Sequence, residues 1–236
     1  MLQTFQRAFV TPILDFIYPP LCFVCQQRLS AKEKNVCSSC WSGITPLRHD
    51  HPVWNELRDK FIAGGMVQDF LSCYLFEKEG SLQHIIHLLK YEGIKSVGIR
   101  LGKEIGKQMM NNSSFCNADY LVPVPLHTLK KRERGYNQSE CICKGISEVT
   151  AISMDTSFVI RKKYTRTQTQ LNIQERKKNV GDAFIVPEKS RLAIKGKTFI
   201  LVDDVITTGS TINACAQELV ANGAAGVLAA SVALAE

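Results

Sequence analysis

The stretch F199-I-L-V-D-D-V-I-T-T-G-S-T211 decides how the chain is read, because it passes from apolar to doubly acidic to small and hydroxylated within thirteen positions. Residues 199 to 202 read as a buried strand, and Asp203 and Asp204 stand at its carboxyl end. Thr207, Thr208, Gly209, Ser210 and Thr211 then form the turn into a helix of roughly residues 210 to 222. A helix start offers unpaired N–H groups and a partial positive charge. With four hydroxyls beside it, and a glycine that permits close backbone approach, it is a cradle for a phosphate. Two adjacent carboxylates would repel that phosphate unless they serve another group, such as a ribose diol or a metal-bound sugar, and a phosphorylated pentose satisfies both halves. A strand ending in an Asp-capped helix accounts for one acid and one hydroxyl only.

Outward from this stretch the pattern alternates between strand and helix. DYLVPVP is followed by a helix over about 137–150, then SFVIR, a long polar basic segment, DAFIV, KTFILVDD, the helix after Gly209, and GVLAASVALA. Apolar strands separated by helices predict a doubly wound parallel sheet, whose ligands sit at the carboxyl ends of the strands. Upstream, CYLFEKEG reads as a strand and turn. Leu82, Ile85, Ile86 and Leu89 have helical spacing, and a second helix covers Gly98 to Met110. The prolines and glycines of residues 43–66 place a domain boundary near 45–65.

Four of the nine cysteines, Cys22, Cys25, Cys37 and Cys40, form two Cys-x2-Cys pairs separated by eleven residues. Two such pairs close one tetrahedral all-sulfur zinc site, which has no open position and is structural. A segment this short draws its folding energy from the metal. Cys73, Cys116, Cys141, Cys143 and Cys215 read as buried thiols, with Cys141 and Cys143 on different faces of a helix. His84 and His87 lack a third ligand nearby and read as structural.

The composition is that of an ordinary globular protein, without low-complexity runs or solenoid repeats. The opening segment is interrupted by Arg7, Pro12 and Asp15, so it reads neither as a signal peptide nor as a membrane span, and a cytoplasmic location is expected. Its Phe5, Phe9, Ile13, Phe16 and Ile17 are expected to pack on the body of the protein. The formal charge is +7, and residues 126–178 alone hold 12 Lys/Arg against 5 Asp/Glu. A local cationic excess points to an anionic partner, either the phosphates of a small molecule or a nucleic-acid backbone. With Tyr136 and Tyr164 interleaved, this surface is suited to pairing with the phosphates and stacking on the bases of single-stranded DNA, through Lys130, Lys131, Lys162, Lys163 and Arg166.

At residues 199–211 the chain resembles the type I phosphoribosyltransferases. The resemblance implies a parallel sheet with a flexible loop and a small hood, and 5-phosphoribosyl 1-diphosphate bound with Mg2+. Asp203 and Asp204 would accept the ribose 2′ and 3′ hydroxyls, and Thr207 through Thr211, Gly209 and Ser210 included, would hold the 5-phosphate. The order of a four-cysteine module, LLKYEG, LVPVPLH, KRERGYNQ, TQTQLNIQERKKNVGDAF and the phosphoribosyl motif is similar to the ComF family of competence proteins over nearly the whole chain. This implies an N-terminal helix and zinc module over 1–45, a linker over 46–65 and a phosphoribosyltransferase-like domain over 66–236. Pro123 and Pro125 would stiffen the loop that holds pyrophosphate in the related enzymes. Lys90, Arg132, Arg134 and Arg176 are the cations expected around it. Arg134, Gly135, Asn137 and Gln138 have motif status, as do Gln168, Leu171, Arg176 and Asn179 in a segment at the position of the mobile covering loop.

Three roles follow from the resemblance. The first is a competence protein that assists uptake of single-stranded DNA, at the inner face of the membrane through its partners, with a DNA-uptake ATPase or helicase or another competence protein as the protein partner. The second is a working transferase that joins a base or amine to the ribose. The third is a zinc-stapled adaptor with a vestigial pocket, which the intact acid pair argues against because burying two carboxylates without a ligand costs desolvation energy.

Overall fold

The computed structural model describes residues 19–162 and 183–236. Its centre is a five-stranded sheet built from β1 (Asp69–Phe76), β2 (Tyr120–Pro123), β3 (Ser153–Met154), β6 (Thr198–Ile206) and β7 (Gly226–Ala235). The strands run in the order β1-β7-β6-β2-β3, and every pair is parallel. A strand alternates its side chains between the two faces of a sheet. Phe199 and Leu201 of β6 therefore join one hydrophobic core while Ile200 and Val202 join the other, and all four are fully buried. Burial on both faces explains why residues 199–202 are apolar at every position rather than at alternate ones.

The helices that matter for the site are α1 (Ser38–Ser42), α2 (Pro52–Gly64), α3 (Ser81–Tyr91), α4 (Lys95–Met109), α5 (Thr128–Arg134), α6 (Gln138–Thr150) and α7 (Ser210–Ala221). Apolar residues of α3, α4 and α6 fill the first core, and those of α2 and α7 fill the second. From β2 the chain moves outward to β3 on one side, and from β6 it moves to β7 on the other. The order therefore reverses between β2 and β6, and a crevice opens there at the carboxyl ends of the strands. Helices α4 and α6 pack with almost no side chain between them. A Cβ on Gly102 would lie 2.0 Å from the Ile142 carbonyl oxygen, and one on Gly145 would lie 2.0 Å from that of Ile99.

Three expectations need correction. SFVIR and DAFIV do not enter the main sheet: β4 (Ile160–Arg161) and β5 (Phe184–Ile185) pair antiparallel as a separate ribbon, and Ser153–Met154 forms the sheet edge instead. Short apolar runs signal a strand without naming its partner. Residues 46–65 are not simply a linker, since most of them form α2. Pro52 occupies the first helical position, where its missing N–H costs nothing, and Gly65 follows the end at φ +63°. The prolines and glycines thus punctuate a helix. Finally, Cys116 is exposed and Cys141 half-buried, whereas Cys73, Cys143 and Cys215 are buried.

Candidate functional site

Strand β6 runs beyond the acid pair to Ile206 because β7 stays beside it, pairing Asp203 with Ser231 and Ile206 with Leu234. On its other side β2 ends at the pairing of Pro123 with Val202. The Val124 N–H still donates to the Val202 carbonyl at 2.9 Å. Asp203 and Asp204 therefore stand where the sheet splits. Asp204 continues the face of Ile200 and Val202 and meets α3, where Lys90 Nζ lies 2.9 Å from its Oδ2. Among the described residues that oxygen accepts no well-angled hydrogen bond, so the contact is a charge pair. Lys90, in the last turn of α3, is about one quarter exposed.

Asp203 Oδ1 accepts from the Ser139 hydroxyl at 3.3 Å and from the Asp204 N–H at 2.9 Å. Burial and the neighbouring Asp204 carboxylate push its carboxyl up to about 7, against the opposing pull of the Asp204 N–H, Lys90 and Ser139. Ser139 has no counterpart among the residues expected from sequence. It follows Asn137, which caps α6 by accepting from the Ser139 N–H at 3.1 Å and donates to the Val124 carbonyl at 2.9 Å. The GYNQ segment thus ties the loop after β2 to the start of α6 and places a hydroxyl on Asp203.

The turn after β6 forms a small concavity of ≈ 40 Å3 lined by Asp203 and residues 205–212. Gly209 has φ +72°, and a Cβ there would lie 2.8 Å from Phe61 and 3.0 Å from Leu57. Glycine is required both by the backbone conformation and by the side chains of α2 beneath it. Thr207, Thr208 and Ser210 are exposed, and the hydroxyls of Thr208 and Ser210 lie 2.8 Å apart. Hydroxyls and the first N–H groups of α7 therefore converge beside the acid pair, as an oxyanion site demands.

The cations divide. Lys90 reaches the acid pair. Arg134 donates to Gln138 Oε1 at 2.9 Å and lies over the Tyr91 ring, while Lys131 pairs with Glu140 at 3.3 Å. Lys130, Arg132 and Lys162 are exposed. Tyr136 is not a stacking platform: it is 8% exposed and its hydroxyl donates to the Leu89 carbonyl. Lys163, Tyr164, Arg166, Gln168, Leu171, Arg176 and Asn179 lie outside the described residues, as do Phe5, Phe9, Ile13, Phe16 and Ile17.

Among the described residues, the sulfurs of Cys22, Cys25, Cys37 and Cys40 form the one group able to hold a metal, all within 4.8 Å of one another. Cys22 and Cys40 are separated by 3.8 Å and Cys25 and Cys37 by 3.6 Å. A tetrahedron with Zn–S bonds of about 2.3 Å has edges of about 3.8 Å, so the sulfurs fit zinc. The Cys37 and Val24 N–H groups point at Cys22 Sγ, at 3.3 and 3.4 Å, and the Cys40 N–H points at Cys37 Sγ at 3.4 Å. His84 and His87 are exposed and join no such group.

Residues 13–52 match the double zinc ribbon domain, and residues 146–235 match the phosphoribosyl transferase domain. Competence protein F of Haemophilus influenzae is 38% identical over 93 residues, which is 39% of this chain and 40% of that protein. The chain joins a double zinc ribbon to a phosphoribosyl transferase domain. DNA utilization protein YhgH of Escherichia coli matches this chain over 233 residues at 28% identity, covering 89% of this chain and 94% of that protein. Competence protein ComFC of Bacillus subtilis is 22% identical over 211 residues, 87% and 80% of the respective chains. No helix among the described residues is long and apolar enough to cross a membrane.

Proposed function

We propose that this protein serves the handling of incoming single-stranded DNA in natural transformation, and that its crevice binds 5-phosphoribosyl 1-diphosphate. The observation that carries the reading is that Asp203, with Asp204 next to it in the strand, lines one concavity with the hydroxylated turn at the β2/β6 switch point. The names of the relatives, which refer to DNA utilization and competence, supply the biological setting.

In this reading Asp203 and Asp204 accept the ribose hydroxyls. Thr207, Thr208, Ser210, Thr211 and the N–H groups around Gly209 hold the 5-phosphate. Lys90 leaves Asp204 as the diol arrives and, with Arg132 and Arg134, faces the diphosphate. Arg176 is assigned to the same group on sequence alone. Mg2+ would accompany the diphosphate and neutralise its charge, next to carboxylates that suit a hard cation. Exposed Lys130 and Lys162, with Lys131, would contact the phosphates of DNA, and Lys163 and Arg166 are assigned to that surface from sequence.

The test is the double variant Asp203→Asn with Asp204→Asn, followed by calorimetric titration with the diphosphate and Mg2+ and by transformation frequency at matched protein level. Binding is expected to be lost in a folded protein, and transformation to collapse. Unchanged affinity would remove the ribose assignment. Normal transformation alongside lost affinity would separate the pocket from the DNA role.

A further inference from the structure

The two acids of the crevice are not equally available. Each spends one oxygen on the backbone of the residue that follows it. Asp203 Oδ1 accepts from the Asp204 N–H at 2.9 Å, and Asp204 Oδ1 accepts from the Val205 N–H at 2.7 Å. These contacts fix both side chains and leave one working oxygen on each. Asp203 lines the concavity of the hydroxylated turn, and its Oδ2 makes no hydrogen bond among the described residues. Asp204 does not line it. The Asp204 side chain is 6% exposed, and its buried Oδ2 lies 2.9 Å from Lys90 Nζ. With Lys90 in this position the crevice offers a sugar one carboxylate oxygen, whereas a ribose diol needs two acceptors.

Two exchanges decide what frees the second oxygen. A sugar hydroxyl brings Asp204 one hydrogen bond, and admitting it separates the ammonium from a carboxylate that is almost sealed from water. Parting such a pair costs more than one hydroxyl returns, so a diol alone does not open it. A diphosphate carries several negative charges and compensates the ammonium as it leaves. Lys90 stands in the last turn of α3 with its side chain 24% exposed, and its long stem is able to turn toward a ligand in the crevice. We infer that Lys90 determines the specificity of the crevice: it masks Asp204 until a diphosphate draws it away, so the second ribose hydroxyl is read only when the diphosphate is present. This rests on the diphosphate half of the proposed function. It separates 5-phosphoribosyl 1-diphosphate from ribose 5-phosphate, which has the same diol and 5-phosphate but nothing that receives Lys90.

The experiment is calorimetric titration of the full-length, zinc-loaded protein, at one fixed Mg2+ concentration, with ribose 5-phosphate and its 2-deoxy and 3-deoxy analogues. Each is titrated without and with saturating inorganic pyrophosphate, and 5-phosphoribosyl 1-diphosphate is titrated alongside. Without pyrophosphate, one deoxy sugar should bind within about twofold of ribose 5-phosphate, because the hydroxyl it lacks has no acceptor. With pyrophosphate, that same sugar should fall about tenfold behind. The deoxy sugar also controls for repulsion between the two phosphate ligands, which acts on both sugars alike. Lys90→Met should show the tenfold difference without pyrophosphate. In Asp204→Asn the Val205 N–H keeps the amide oxygen and an NH2 replaces Oδ2, so the difference should stay within about twofold even with pyrophosphate. Circular dichroism checks the fold of Lys90→Met, and Asp204→Asn carries the test if that variant fails to fold.

If both deoxy sugars are about tenfold weaker without pyrophosphate, Asp204 is open with Lys90 in place and the inference is overturned. It is equally overturned if pyrophosphate leaves the ratios unchanged, or if neither sugar monophosphate binds in its presence while 5-phosphoribosyl 1-diphosphate does. Each of these results leaves the diphosphate reading of the crevice standing. Failure of 5-phosphoribosyl 1-diphosphate itself to bind would overturn that reading and this inference together.

Discussion

Asp203 concentrates the electrostatics of the crevice in one carboxyl group. The groups that face it come from several elements: Asp204 beside it, Lys90 from α3, Ser139 and Cys143 from α6, and Cys215 from α7. Its folded-state value of about 7, set first by burial and then by Asp204, lies above the ordinary carboxyl value of 3.8. Between these limits the folded protein retains a proton that the unfolded chain has released, so the contribution of this group to stability is present at low pH and declines as pH rises toward 7. Urea unfolding of wild type and Asp203→Asn across that window is expected to show a flatter profile for the variant. Parallel profiles would mean that the carboxyl is not raised. The acid pair and its hydroxylated loop were legible in sequence because they are contiguous and chemically unusual. The contacts of Lys90 with Asp204 and of Ser139 with Asp203 were not, since each joins residues far apart in the chain and is made only when α3 and α6 dock on the sheet.

At the scale of elements, the placement of the site depends on how closely α4 and α6 approach. Gly145→Ala puts a Cβ against backbone, at 2.0 Å from the Ile99 carbonyl oxygen, and neither helix can yield without moving as a whole. Gly98→Ala meets side-chain atoms only, the nearest being Leu89 Cδ1 at 2.8 Å. Denaturant unfolding should therefore show a loss of about 3 kcal/mol for Gly145→Ala, at the high end of the range for overpacking, and a clearly smaller loss for Gly98→Ala. Equal losses would contradict the packing described. The helical periodicity of residues 82–89 was readable because one face is buried. The pairing of β4 with β5 was not, because two-residue strands carry too little pattern to name a partner. Nor was the packing of Leu57 and Phe61 beneath Gly209, a contact across about 150 residues that no local spacing encodes.

At the scale of the whole molecule, the zinc module is part of the body of the protein. Cys22, Cys37, Cys40, Val36 and Ile44 belong to the same buried cluster as α3 and α4, and Arg100 lies over the Trp41 ring at 4.0 Å. Residues 45–47 continue from the module along β1, with the Leu75 N–H donating to the Thr45 carbonyl and the Leu47 N–H to that of Cys73, both at 3.0 Å. Metal loss is therefore expected to weaken the sheet edge as well as the knuckles. Metal analysis should find one zinc per chain, and Cys37→Ser should lower both zinc content and Tm. A loss of about 3 kcal/mol, small beside the binding energy of a structural zinc, corresponds to a Tm shift of roughly 6–12 °C. A metal-free protein with unchanged Tm would show that the module is held by its packing alone. The spacing of the cysteines announced the metal, but it carried no information about what the module leans on.

The position of β7 has a consequence for synthesis. This strand lies between β1 and β6, yet its residues follow those of β1 by about 150 positions. While the ribosome is still making residues 77–225, the apolar β1 has no neighbour in the main sheet on that side and must be sheltered by its helices or by a chaperone. A premature stop before residue 226 would remove the keystone of the sheet, separating β1 and the zinc module from the strand that carries the acid pair. Such a fragment should be recovered as aggregate or lost to proteolysis.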